Sequence, residues 1–148
     1  IMPTTAVAWR QGVGALWSDN EQAGQAATAL FSPIADVVPL ASEDDMDAAT
    51  GVAGSGPAYV HAFTLALQQA GVEAGLMPDV AERLARGVIR SAATGDASVS
   101  VQDLVARIAS PGGTTEAGLN ALNADGQLDR AVKAAVQAAL SKARELSK

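Results

Sequence analysis

At 148 residues, with 49% hydrophobic and 18% charged side chains, the chain is globular and large enough for one domain, or one domain and a fragment. A net charge of −6 and a pI near 4.6 leave no basic stripe for nucleic-acid phosphates. With no cysteine and a single histidine, His61, the chain offers no disulfide, no thiolate chemistry and no ligand set for a transition metal.

The start, Ile1-Met2-Pro3, resembles neither a natural N-terminus nor a signal peptide, and the chain reads as cut from something longer. Residues 12–18, with Val13, Ala15 and Trp17 alternating, predict a short strand. Ser18-Asp19-Asn20-Glu21 then opens an Ala-rich helix over 21–31, and Ser32-Pro33 ends it. Residues 36–40 predict a second strand, with Pro39 suited to an edge. Strand, helix and strand within about forty residues fit the tail of an α/β domain.

From Glu43 onward the signals are helical. A piece over 46–53 is expected to break at Gly54-Ser55-Gly56, with Pro57 opening the next piece. Tyr59, Phe63, Leu67 and Ala70 keep a helical spacing, Gly71 and Gly75 punctuate, and Pro78 opens a helix on which Val80, Leu84 and Val88 share a face. The uncharged stretch over 48–72 is interrupted by Gly54-Ser55-Gly56-Pro57, His61 and Gln68-Gln69, so it is expected to be a buried helix and not a membrane span. Ser100-Val101-Gln102-Asp103 is a capping-box-like start, followed by Val101, Leu104, Val105 and Ile108 on one stripe. A short helix through Leu119 and Leu122 stops at Gly126, and a last helix runs from about 128 to 146. These helices carry mostly Ala, Val and Leu, which supply little apolar area each. They gain by packing on a second copy, and an obligate interleaved dimer is expected.

Between the fifth and sixth helices stands Ser110-Pro111-Gly112-Gly113-Thr114-Thr115. A helix start leaves N–H groups unpaired at the positive end of the dipole, and the glycines let a guest approach them. A carboxylate or phosphate is the natural guest. The plainer account is a turn followed by an ordinary Thr N-cap.

Three stretches together resemble the pyrroline-5-carboxylate reductase family: Met2-Pro3-Thr4-Thr5, Gly54-Ser55-Gly56-Pro57-Ala58-Tyr59, and Ser110 to Thr115 followed by Ala117-Gly118-Leu119. The resemblance covers essentially the whole chain. It implies a mainly α fold, with an all-helical dimerisation and substrate-binding domain over 43–148. A short α/β remnant of a Rossmann-type domain over 1–42 precedes it. It also implies reduction of 1-pyrroline-5-carboxylate to L-proline, the last step of proline biosynthesis, by a cytoplasmic homodimer or larger oligomer. The cofactor would be NADP or NAD in the full-length parent. No G-x-G-x-x-G turn occurs, so this chain alone is expected to bind no cofactor tightly and to be inactive.

By resemblance Gly112, Gly113, Thr114 and Thr115 hold the substrate carboxylate through their backbone N–H groups, and Ser110 belongs to the same substrate-binding loop. The Thr115 hydroxyl lies by the ring nitrogen or carboxylate as the catalytic contact. Gly54, Ser55 and Gly56 let the helix approach the ring and nicotinamide, while Met2, Pro3 and Thr4 border the cofactor. Thr4 stands where many relatives have Asn. Some relatives carry a glutamate ahead of the loop. Ser98 takes its place here, with Asp96 and Asp103 nearby, so no acidic proton donor is assigned and water or Thr115 delivers the proton.

The remaining polar residues have structural readings. His61 is expected to be packed or solvent-facing, and Glu43, Asp44, Asp45 and Asp47 to complement a helix dipole and not to bind metal. Two other functions remain: a non-catalytic helical dimerisation module, or the helical half of another two-domain dehydrogenase. The second needs a catalytic lysine, and Lys133, Lys142 and Lys148 all sit in the last helix.

Overall fold

The computed structural model describes residues 1–96 and 98–147, so Lys148 lies outside the described residues. The chain forms two compact units, residues 1–58 with 132–148, and residues 59–131.

The first unit is built on a three-stranded sheet in the order β1 (Met2–Pro3), β2 (Gly12–Leu16), β3 (Ala35–Pro39). β1 runs antiparallel to β2, pairing Met2 with Ala15, and β3 runs parallel to β2, pairing Gly12 with Ala35 and Leu16 with Pro39. The strand expected over 12–18 ends at Leu16, and the one expected over 36–40 begins a residue earlier. β2 is the middle strand and forms the core, with Ala15 and Leu16 buried. Two residues are too few to show alternation, which is why β1 has no signature in the sequence. A 3-10 turn over Thr5–Trp9 links β1 to β2 and closes on Arg10 in the left-handed region at φ 59°. Helix α1 (Glu21–Phe31) joins β2 to β3, and the Asn20 side chain caps it by accepting from the Ala23 N–H at 3.0 Å.

Helix α2 (Asp45–Ala49) passes into a π-helical turn over Thr50–Gly54 and then into α3 (Gly56–Glu73). The interruption expected at Gly54-Ser55-Gly56 takes the form of this π turn, and Pro57 lies in the first turn of α3 as expected; Ser55 between them keeps helical angles, and its N–H donates to the Thr50 carbonyl at 3.0 Å. A proline inside a helix removes one donor and crowds the carbonyl four residues back. A wide turn just ahead of Pro57 absorbs that conflict without ending the helix. Gly51, inside the turn, is buried against α7 (Gln127–Leu146). A Cβ there would lie 3.2 Å from the Val136 carbonyl oxygen and 3.6 Å from the Leu140 nitrogen. The first turn of α2 is also tied to α7, with Asp47 3.9 Å from Arg144.

In the second unit α3 turns at Gly75, which has φ 102°, into α4 (Pro78–Ala92). The two helices meet through small residues, since a Cβ on Gly71 would be 3.4 Å from that of Ala81. Ala81 and Ala85 are the buried residues of α4. Val80, Leu84 and Val88 do share a face, but it faces outward, with Leu84 55% exposed. α5 (Val101–Ile108) is capped as expected, with the Ser100 hydroxyl accepting from the Asp103 N–H at 3.1 Å and donating to its carboxylate at 2.8 Å. Leu104 is half-buried, whereas Val101, Val105 and Ile108 are exposed. α6 (Thr114–Leu122) follows, then a 3-10 turn over Ala124–Gly126 whose Asp125 and Gly126 are both left-handed.

Candidate functional site

The turn before α6 uses each of its residues for a different physical reason. Pro111 presets φ at the second position, and Gly112 at the third adopts φ 71°, which a side chain resists. The Gly113 N–H closes the turn on the Ser110 carbonyl at 2.9 Å. Gly113 itself is extended, at φ −85° and ψ 168°, so its requirement is space. A Cβ there would lie 2.6 Å from Ser110 Oγ and 2.9 Å from its carbonyl oxygen.

Gly113 then serves as N-cap of α6 with no side chain capping it. The first bond that closes the helix runs from the Ala117 N–H to the Gly113 carbonyl at 3.2 Å. Thr114, Thr115 and Glu116 occupy the first turn, where N–H groups have no intrahelical acceptor. Thr115 is half-buried, while Ser110, Gly112, Thr114 and Glu116 are exposed.

Glu116 is the residue that the sequence reading passes over. Its Oε2 accepts from the Gly112 N–H at 2.8 Å. A signal for it exists, since Glu three places after the N-cap has the capping-box spacing. Glycine at the cap hides that pattern. Of the four amides that the resemblance gives to a carboxylate, those of Gly112 and Gly113 are thus engaged within the loop. Those of Thr114 and Thr115 stand at the positive end of the helix dipole.

The other residues singled out by the resemblance gather in the first unit. Met2 and Gly54 are neighbours, a Cβ on Gly54 lying 3.5 Å from Met2 Sδ. Pro3 is exposed on β1 beside them in sequence. Thr4 is buried, and its hydroxyl accepts from the Val13 N–H at 3.1 Å, so this side chain braces the β1–β2 pair. Ser55 and Gly56 are half-buried where the π turn ends, and a Cβ on Gly56 would meet nothing.

His61 is exposed on α3. Asp45 accepts from the Ser42 N–H at 3.0 Å, a local brace ahead of α2. Among the described residues no group of three or more metal-binding side chains converges, and no helix is long and apolar enough to cross a membrane. Ahead of α5, the Ser98 hydroxyl and N–H both donate to the Asp96 carboxylate, at 2.7 and 2.9 Å. The hydroxyl bond first, then the backbone bond, holds the Asp96 carboxyl below the ordinary aspartate range, which makes it a poor proton donor near neutrality.

Residues 43–146 match the family model for pyrroline-5-carboxylate reductase dimerisation. The chain is 37% identical to the Delta-1-pyrroline-5-carboxylate reductase of Gibberella fujikuroi, over 99% of this chain and 52% of that protein. It is 36% identical to the pyrroline-5-carboxylate reductase of Pseudomonas aeruginosa, over 99% and 55%. The solved pyrroline-5-carboxylate reductase of Coxiella burnetii aligns with a TM-score of 0.89 at 32% identity, over 99% of this chain and 56% of that one. The NADP-bound pyrroline carboxylate reductase of Plasmodium falciparum aligns with a TM-score of 0.81 at 30% identity, over 99% and 62%. The chain thus spans about half the length of the curated relatives it matches. The match takes in both the loop ahead of α6 and the helices around it, and with it the chain belongs to the pyrroline-5-carboxylate reductase family.

Proposed function

We propose that this chain is the dimerisation and substrate-binding part of an enzyme that reduces 1-pyrroline-5-carboxylate to L-proline with NADPH or NADH, in the cytoplasm. In this reading the domain boundary falls between residues 42 and 43, which the start of the family match at residue 43 supports. The observation that carries the reading is the start of α6. There a turn with no side-chain cap presents the Thr114 and Thr115 amides beside a half-buried hydroxyl.

In this reading the loop binds the substrate carboxylate through charge-assisted bonds from backbone N–H groups, and no arginine is needed. The Thr115 hydroxyl lies against the ring nitrogen or the carboxylate and orients the ring. Met2, Pro3, Gly54, Ser55 and Gly56 form the small-residue border on the cofactor side, whereas Thr4 acts through the strand pair it braces. When bound, the dinucleotide supplies the hydride that adds to the C=N carbon, while the ring nitrogen takes a proton. The residues of this chain do not themselves make a pyrophosphate seat. The β2–α1 connection, residues 17–20, has no glycine, and the start of α1 is closed by the Asn20 side chain. This chain's part is positioning, which can supply much of the rate of a hydride transfer.

The test is Thr115→Ala in the full-length enzyme. We expect kcat/KM to fall at least tenfold, on the scale of a lost hydrogen bond to a charged group. An unchanged kcat/KM removes Thr115 from the site.

The surface of the helices supports a second part of the proposal, an obligate homodimer. Leu84 and Val88 of the outward stripe rim an apolar groove of about 350 Å³ between α3 and α4, to which Leu67 and Leu76 contribute.

A further inference from the structure

The loop already contains an anion of its own. Glu116 sits in the first turn of α6, and its carboxylate reaches back past the N-cap to accept the Gly112 N–H at 2.8 Å. In an ordinary capping box the same side chain would reach the N-cap N–H. Here the Gly113 N–H is taken by the Ser110 carbonyl, so the glutamate bonds one residue further out. Two consequences follow. The bond holds Gly112 in its left-handed conformation, and a full negative charge is fixed at the helix end that would receive a ligand carboxylate.

We propose that Glu116 sets the affinity of the loop for its carboxylate ligand, bracing the turn while weakening the grip by charge repulsion. This rests on the reading of the loop as a carboxylate seat. The chemistry of the reaction gives the weakened grip a use. Substrate and product carry the same carboxylate, so the seat cannot tell them apart, and a tight seat would retain product. A built-in competing charge lowers the affinity for both and favours release.

Glu116→Gln separates the two roles, because the amide oxygen can still accept the Gly112 N–H but the charge is gone. In the full-length enzyme we expect KM for the imine and the inhibition constant for proline to fall together. At surface dielectric and the spacing of one helical turn, the change is roughly three- to tenfold. Inhibition by prolinamide, which lacks the carboxylate, should not change. A merely structural glutamate would leave all three constants unmoved in Glu116→Gln. If KM is unchanged or rises in Glu116→Gln while Thr115→Ala still raises KM, the role of Glu116 is overturned and the carboxylate seat stands. If neither substitution moves KM or the proline constant, the seat itself is wrong.

Discussion

Gly112 and Gly113 are adjacent and chemically identical, yet each is required for its own reason. Gly112 needs a left-handed φ of 71°, which costs an L-residue roughly 1–2 kcal/mol. Gly113 has an ordinary extended backbone, but a methyl group there meets the Ser110 carbonyl oxygen at 2.9 Å, an atom held by the turn's own hydrogen bond. Alanine at 112 should therefore strain a turn that still closes, whereas alanine at 113 should open it. Amide exchange in the loop distinguishes them. We expect Gly113→Ala to lose protection of the Gly113-position N–H, and Gly112→Ala to keep most of it at reduced stability. Equal protection in both variants would contradict this division of roles.

At the scale of elements, the most informative feature is the π turn over Thr50–Gly54. Two constraints meet there: Pro57 lacks a donor for the α pattern, and Gly51 must lie against the backbone of α7. The nearest neighbour of a Cβ on Gly51 is the main-chain oxygen of Val136 at 3.2 Å, which cannot rotate away as the Val136 side chain at 3.5 Å could. Overpacking of this kind costs about 1–3 kcal/mol. Gly51→Ala should lower the urea midpoint accordingly, despite the higher helix propensity of alanine. A midpoint that rises would show that α7 can shift freely. By contrast, the Asp47–Arg144 pair beside this contact joins an exposed arginine to a half-buried aspartate at a long 3.9 Å, and adds little.

For the whole molecule, the apolar side chains left exposed decide assembly, among them Leu84 and Val88 on α4 and Val101 and Ile108 on α5. We expect the chain to sediment as a dimer at micromolar concentration, and Leu84→Glu to shift it toward unfolded or monomeric species. A stable, folded wild-type monomer under those conditions would refute the obligate dimer.

Much of this molecule was legible in the sequence where the determinants are local. Helix α1, the Ser100–Asp103 cap and the turn at Pro111-Gly112 follow from residues within a few positions of one another, because φ/ψ preference and capping act over one turn. What only the tertiary structure decided involves partners distant in sequence or a choice between near-equal local states. The pairing of Met2 with Ala15 turns Thr4 inward, and the approach of α7 to Gly51 fixes a helix crossing. On α4, spacing identifies an apolar stripe but not the face that packs within the chain. The small residues Ala81 and Ala85 are the buried ones, and Ala81 lies where α4 approaches α3 at Gly71. Glu116 falls between the two: its spacing is local, but its bond to Gly112 exists only because the turn has already claimed the Gly113 N–H.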